Sequence, residues 1–267
     1  MYFRSIINIR KEFIMHKSKL LLIGFIITIH VSCSRKTWVI TQSNSVKIAI
    51  DSTSNSLSDK GYDAYLLPYK QKVDAAMNEI IGHATETMKG YAPESLLSNF
   101  SADVYLQTAS EKLGQKVDIA IVNMGGLRTT IPAGPISIRK VFELMPFENE
   151  LVVLWMKGDK LNDLLQYFAS MGGEGVAGLR MTIANMKAVD VTVGGKQLDP
   201  NALYSIATND YLAGGNDKMI QLAQADKRVN TGVKIRSMLL NYIKSETSKG
   251  NNIQSKLDGR IRTASSY

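Results

Sequence analysis

Short, mostly apolar runs at Ile119-Ala120-Ile121-Val122, Leu151–Met156 and Leu203–Thr208 predict strands buried inside a sheet. Three- and four-residue apolar steps between them predict helices. Tyr65, Tyr69, Val73, Ala76, Met77 and Ile80 form one such stripe, with Gly82-His83 at its end. A second helix is expected over Glu94–Leu113, with Pro93 suited to its first turn and Gly114 to its stop. Ser137 caps a short helix through Leu144, which Pro146 terminates. Gly158-Asp159 opens another, with Leu161, Leu164, Leu165 and Phe168 at core spacing. The last is expected from about Gly232 to Lys244, with Ile235, Met238, Leu239 and Tyr242 inward. Leu179–Ala184 and Val189–Val193 read as strands, and Gly194-Gly195 as a tight turn into a further short strand ending at Leu198. The four glycines of Met171–Gly178 mark a connector. Helices and strands that alternate in this way predict a mixed α/β domain.

The amino terminus follows a different pattern. Arg4, Arg10, Lys11, Lys17 and Lys19 precede an apolar run from Leu20 to Val31. That run is too short to span a bilayer as a helix and suits the apolar region of a signal peptide. His30-Val31-Ser32-Cys33 then places a small residue before the chain's only cysteine, as in a bacterial lipobox, although His30 stands where Leu is usual. A lipidated Cys33 implies a membrane anchor, with the fold outside the cytoplasm at the cell envelope. A plain secretory signal and an uncleaved anchor are the alternatives. From Ser34 the chain is rich in Ser, Thr, Asn and Lys, which predicts a tether, with one candidate strand at Val46–Ile50. The expected organisation is a signal segment over 1–33, a tether over 34–62 and one domain over 63–267.

Charge changes the picture once the signal segment is set aside. Residues 1–32 hold five Lys/Arg and one Glu, so the remainder carries +4 where the whole chain carries +8. No dense basic block interleaved with aromatics is present, so there is no nucleic-acid footprint. With Cys33 lipidated no thiol is left for disulfide or thiolate chemistry.

Three stretches carry candidate chemistry, each at a strand end. Asn123-Met124-Gly125-Gly126-Leu127-Arg128 follows the first buried strand. Its adjacent glycines imply a sharp turn, with positive φ accessible and room for a ligand against the main chain. An amide and a guanidinium flank that turn. Pro146-Phe147-Glu148-Asn149 precedes the second strand, and Thr208-Asn209-Asp210-Tyr211-Leu212-Ala213-Gly214-Gly215-Asn216-Asp217 follows the third. Taken singly, Phe147 and Tyr211 are equally readable as core aromatics, and Asp217 as a loop residue capping a helix over Lys218–Ala223.

In order and spacing the three stretches resemble the C-terminal, substrate-binding domain of the 5'-nucleotidase family, over about Tyr65 to Ile261. That family carries Asn-x-Gly-Gly-x-Arg, Pro-Phe-Gly-Asn and Asn-Asp-Phe-Leu-Ala-x-Gly-Gly-Asp elements. The resemblance implies a four-layer α/β/β/α domain with a nucleoside or nucleotide pocket. In it Phe147 and Tyr211 stack on the base, Asn123 and Asn149 meet polar edges, and Asp217 accepts bonds from ribose hydroxyls. Gly125 and Gly126 shape the turn, and Arg128 faces the ribose-phosphate side. Three departures bear on phosphate handling and turn geometry. Glu148 replaces Gly, Asn216 replaces the second Gly before Asp217, and Pro93 stands where an Arg is frequent.

A complete enzyme of this family uses two divalent metals on a separate metallophosphatase domain to activate water and stabilise both oxygens of the displacement. Here His16 and His30 lie in the signal segment, leaving His83, and no Asp-x-His, Gly-Asp-x-x-Asp or Asn-His-Glu element is present. No cofactor or metal is therefore expected in this chain. The resemblance implies a partner metallophosphatase chain that carries the two metals. The alternatives are a non-catalytic nucleoside-binding lipoprotein and a structural lipoprotein with a degenerate pocket.

Overall fold

The computed structural model describes residues 38–47 and 59–264. Residue contacts divide the chain into two units, 1–59 and 60–267. In the first, residues 38–47 carry no regular structure, and Trp38, Val39, Ile40 and Val46 are exposed. The signal segment, Cys33 and most of the Val46–Ile50 patch lie outside the described residues. No helix among the described residues is long and apolar enough to cross a membrane.

The second unit opens with α1 (Lys60–Met77) and β1 (Ile80–Ala84). The helix ends at Met77, ahead of the expected Gly82-His83 stop, because Ile80 leaves the helical stripe to pair with Ser137. No residue of α1 is buried, so its apolar stripe is not a core face. Next come α2 (Leu96–Leu113), β2 (Ile119–Val122), β3 (Gly134–Ser137), α3 (Ile138–Leu144) and β4 (Glu150–Lys157). The start of α2 is set by Ser95, whose side chain accepts from Ser98 N while Ser98 Oγ accepts from Ser95 N. Pro93 therefore lies before the cap, not in the first turn. Gly114 ends α2 in the left-handed conformation, φ 64°.

α4 (Gly158–Met171) follows β4 directly, then β5 (Gly175–Ala177), β6 (Leu179–Ala184), β7 (Lys187–Val193), β8 (Lys196–Gln197) and β9 (Leu203–Asn209). The chain continues through α5 (Asp210–Ala213), α6 (Ile220–Ala223), β10 (Lys227–Lys234), α7 (Ile235–Ser248) and β11 (Ile261–Thr263). Two strands depart from expectation. The glycine-rich connector contains β5, which pairs with Ala120–Val122. The polar stretch before the last helix is β10, an edge strand on β4, so that helix begins at Ile235.

The central sheet has the order β10-β4-β9-β2-β5, and β2-β9 is its parallel pair. A second sheet runs β11-β6-β7-β8, and β1-β3 forms a small ribbon. One core lies between the central sheet and α2, α3 and α7, built on residues such as Phe100, Val104, Leu144, Leu151 and Leu239. Another lies on its opposite face, where Leu161, Leu164, Leu165 and Phe168 of α4 meet Met181, Ile183, Val191 and Val193 of the second sheet. Together these elements form the expected mixed α/β domain. Within it α4 contacts both β4 and β7, and its Gln166 exchanges two hydrogen bonds with Ala188 of β7, so this helix sits against both sheets.

The topology brings five strand termini to one edge of the central sheet. β2 and β9 are parallel, so their carboxyl ends share that edge. β4 is antiparallel to β9, with Leu151 opposite Asn209, which places its amino end there. β5 is antiparallel to β2, with Gly175 opposite Val122, and β10 ends opposite Glu150. All three sequence motifs are therefore delivered to one place although they lie far apart in the chain.

Candidate functional site

At this edge a cavity of about 340 Å³ is lined by Asn123, Gly125, Gly126, Arg128, Phe147, Asn149, Tyr211 and Asp217, together with Met145 and Asn209. The eight residues singled out in the sequence all line it. Phe147 and Tyr211 are 44% and 43% exposed, so neither ring belongs to the core. The volume falls within the range of small-molecule pockets.

The Asn123 turn is a 3-10 turn, Met124–Gly126, and neither glycine has positive φ, contrary to the expectation for this pair. The glycines serve space instead. A Cβ on Gly126 would stand 2.8 Å from Asn123 Oδ1, so the missing side chain admits the folded-back amide. A Cβ on Gly125 would meet nothing within 4 Å, because the cavity lies there.

That amide is largely committed to the protein. Asn123 Nδ2 donates to Asp217 Oδ2 at 2.8 Å, and Asn123 Oδ1 accepts from Asn209 Nδ2 at 3.3 Å. Asn209 in turn caps α5 by accepting from Leu212 N. One amide hydrogen and one lone pair of Asn123 are left for a ligand. Tyr211 Oη donates to Asp217 Oδ1 at 2.7 Å, so each carboxylate oxygen already accepts one bond and retains further capacity. The same bond raises the Tyr211 hydroxyl above its ordinary pKa. Asp217 and Lys218 have positive φ, 53° and 62°. Asn216, which replaces a Gly of the family's element, does not have positive φ and donates to Tyr211 O at 2.7 Å.

Arg128 donates to Gly125 O at 3.0 Å, with its guanidinium carbon 5.9 Å from the Phe147 ring centre. It is the cation among the lining residues. Glu148 at the rim forms an ion pair with Arg236, which also donates to Pro146 O and lies 4.2 Å from the Phe142 ring centre. The departure at Glu148 is thus met by a cation from α7. Asn149 accepts at its main-chain oxygen from Ile235 N, tying β4 to α7.

Sequence reasoning missed the residues behind the turn. Glu174 is 8% exposed, and its Oε1 accepts from Met124 N at 2.6 Å and from Gly175 N at 3.2 Å. Burial pushes its carboxyl up to about 7, against the pull of those two bonds, and the Asp217 charge adds to the rise. The available signal was a lone carboxylate among glycines. Among the described residues no three His, Cys, Asp or Glu converge as metal ligands.

The model of the 5'-nucleotidase C-terminal domain matches residues 80–224. The 5'-nucleotidase of Vibrio cholerae serotype O1 is 27% identical over 205 residues, 73% of this chain and 36% of that protein. Protein UshA of Escherichia coli K12 is 27% identical over 190 residues, covering 68% and 34%. A solved 5'-nucleotidase precursor from Thermus thermophilus superposes with a TM-score of 0.66 at 31% identity, covering 77% and 43%. The chain thus spans about a third of the length of these curated relatives. The matched segment, 80–224, contains every residue that lines the cavity, and the chain belongs to the family of the 5'-nucleotidase C-terminal domain.

Proposed function

We propose that this chain is the nucleoside- or nucleotide-recognition part of a 5'-nucleotidase-type phosphohydrolase. The observation that carries the reading is the convergence of all three motifs on one cavity flanked by two half-exposed aromatic rings. Phe147 and Tyr211 offer π faces to a base, worth about 1–3 kcal/mol per stacked base. Asp217, aimed by Tyr211 and Asn123, accepts from ribose hydroxyls. Arg128, the cation lining the cavity, would meet the ribose-phosphate side.

In this reading catalysis needs a separate metallophosphatase chain, whose two divalent metals would supply the water activation. This chain contributes binding and orientation of the nucleoside. Lipidation at Cys33 would hold it at the cell envelope. The test is reconstitution. The paired chains hydrolyse a nucleoside monophosphate and neither does so alone, whereas partner activity unchanged by this chain refutes the pairing. A Cys33→Ser variant that stays in the membrane fraction refutes the lipid anchor.

A second reading, a non-catalytic nucleoside-binding lipoprotein, is favoured by the site's charge. Arg128 is the cation lining the cavity, and Arg236 is engaged by Glu148, so little is offered to a phosphate. It predicts adenosine affinity that is independent of any phosphatase.

A further inference from the structure

We infer that Tyr167 and Glu174, on α4 and the segment that joins it to β5, are positioning residues that hold the two halves of the cavity in register. The inference rests on the nucleoside reading for its affinity arm only.

The cavity's polar centre is the contact between Asn123 Nδ2 and Asp217 Oδ2, which links residues from two different loops. Each loop is gripped from behind by the same short segment. Tyr167 Oη donates to Asp217 O at 3.0 Å, holding the main chain where Asp217 and Lys218 both adopt positive φ. Non-glycine residues occupy that region only where their surroundings impose it. Seven residues on, Glu174 Oε1 accepts from Met124 N, the first amide after Asn123.

The segment between the two residues is itself fixed. Gly172 N donates to Ala169 O and Gly173 N to Phe168 O, closing α4. Gly173, at φ 124°, lies so close to Pro93 that a Cβ would stand 2.6 Å from the Pro93 oxygen. Gly175 is registered opposite Val122 in the sheet. Tyr167 is half-buried beside Phe168, their ring centres 6.4 Å apart. A stretch read from sequence as a connector therefore has the geometry of a brace.

Amide hydrogen exchange on the intact, ligand-free chain tests this without assuming a ligand. Tyr167→Phe is expected to speed exchange across 214–218, and Glu174→Ala across 123–128, each by about tenfold or more, as loss of a bond to a charged or strained group implies. Glu174→Gln keeps an oxygen acceptor for Met124 N and is expected to stay within about threefold of the parent. Exchange in α2 and α7 should not change. Tyr167→Phe removes one oxygen from a half-buried ring, and Glu174→Asp withdraws the acceptor by one methylene, so the test survives if Glu174→Ala fails to fold.

Unchanged exchange in both loops would overturn the inference. So would loosening that spreads equally to α2 and α7, or a Glu174→Gln variant as loose as Glu174→Ala. In the affinity arm, adenosine binding should weaken about tenfold in Tyr167→Phe and Glu174→Ala and recover in Glu174→Gln. A parent protein that binds no adenosine would count against the nucleoside reading, and the exchange arms would still decide the brace.

Discussion

Replacing Glu174 by glutamine should stabilise the protein at alkaline pH and cost it about 1 kcal/mol in acid, where the glutamine amide nitrogen still needs a partner. Glu174 is 8% exposed, and its folded-state pKa is about 7 against 4.5 for the free side chain. A folded-state pKa above the unfolded value means the folded protein binds the proton more tightly. That stabilisation is complete below about 4.5 and is lost as pH rises through about 7. At 1.36 kcal/mol per unit, the shift corresponds to about 3 kcal/mol lost between pH 4.5 and 8.5. Glutamine carries no charge to desolvate and keeps an oxygen facing Met124 N. Its amide nitrogen needs a partner, which lowers the expected net gain to about 2 kcal/mol at pH 8.5. For a domain of this size that is a rise of about 4–8 °C in Tm. Melting Glu174→Gln beside the parent at pH 5 and pH 8.5 reads the difference directly, because every other titrating group is common to both. A Tm difference equal at the two pH values, or a variant less stable at pH 8.5, would refute the argument from burial.

Other substitutions test the packing and the turn. Gly126→Ala places a methyl against the Asn123 amide and should weaken adenosine binding by about tenfold or more in calorimetry while Tm falls little. Gly158→Ala drives its Cβ into the Asp199 carbonyl oxygen at the β4–α4 junction and should cost about 3 kcal/mol in urea unfolding. Arg260 is buried and bonded to Asp103, Asp258 and Val176 O, so Arg260→Met should destabilise by about 2–4 kcal/mol in the same assay.

The parts of the fold legible in sequence were those whose own residues carry the burial. β2 and β4 are apolar because both faces are covered, and the Leu161–Phe168 stripe of α4 marks its core face at helical spacing. β5 and β10 escaped because their signal lies elsewhere. β5 is defined by pairing with β2, and β10 is a polar edge strand whose apolar partner is β4. The stripe on α1 had the period of a core helix and none of the burial, since periodicity reports amphipathicity and not what covers the apolar side.

For the site, motif residues at strand ends were legible one by one. Their convergence follows from the parallel β2-β9 pair and the antiparallel β4, which is long-range information. Residue types gave no sign that Asn123 spends most of its amide on Asp217 and Asn209, or that Glu148 meets Arg236 from α7. Those partners are distant in sequence and depend on the register of the sheet.

The central claim, that the cavity between Phe147 and Tyr211 receives a nucleoside, is tested most directly by calorimetric titration of the intact chain with adenosine, beside Phe147→Ala and Tyr211→Ala. Saturable binding, weakened about tenfold or more in each variant as the loss of one stacking face implies, is the predicted result. No binding to the parent, or binding that neither substitution alters, would contradict it.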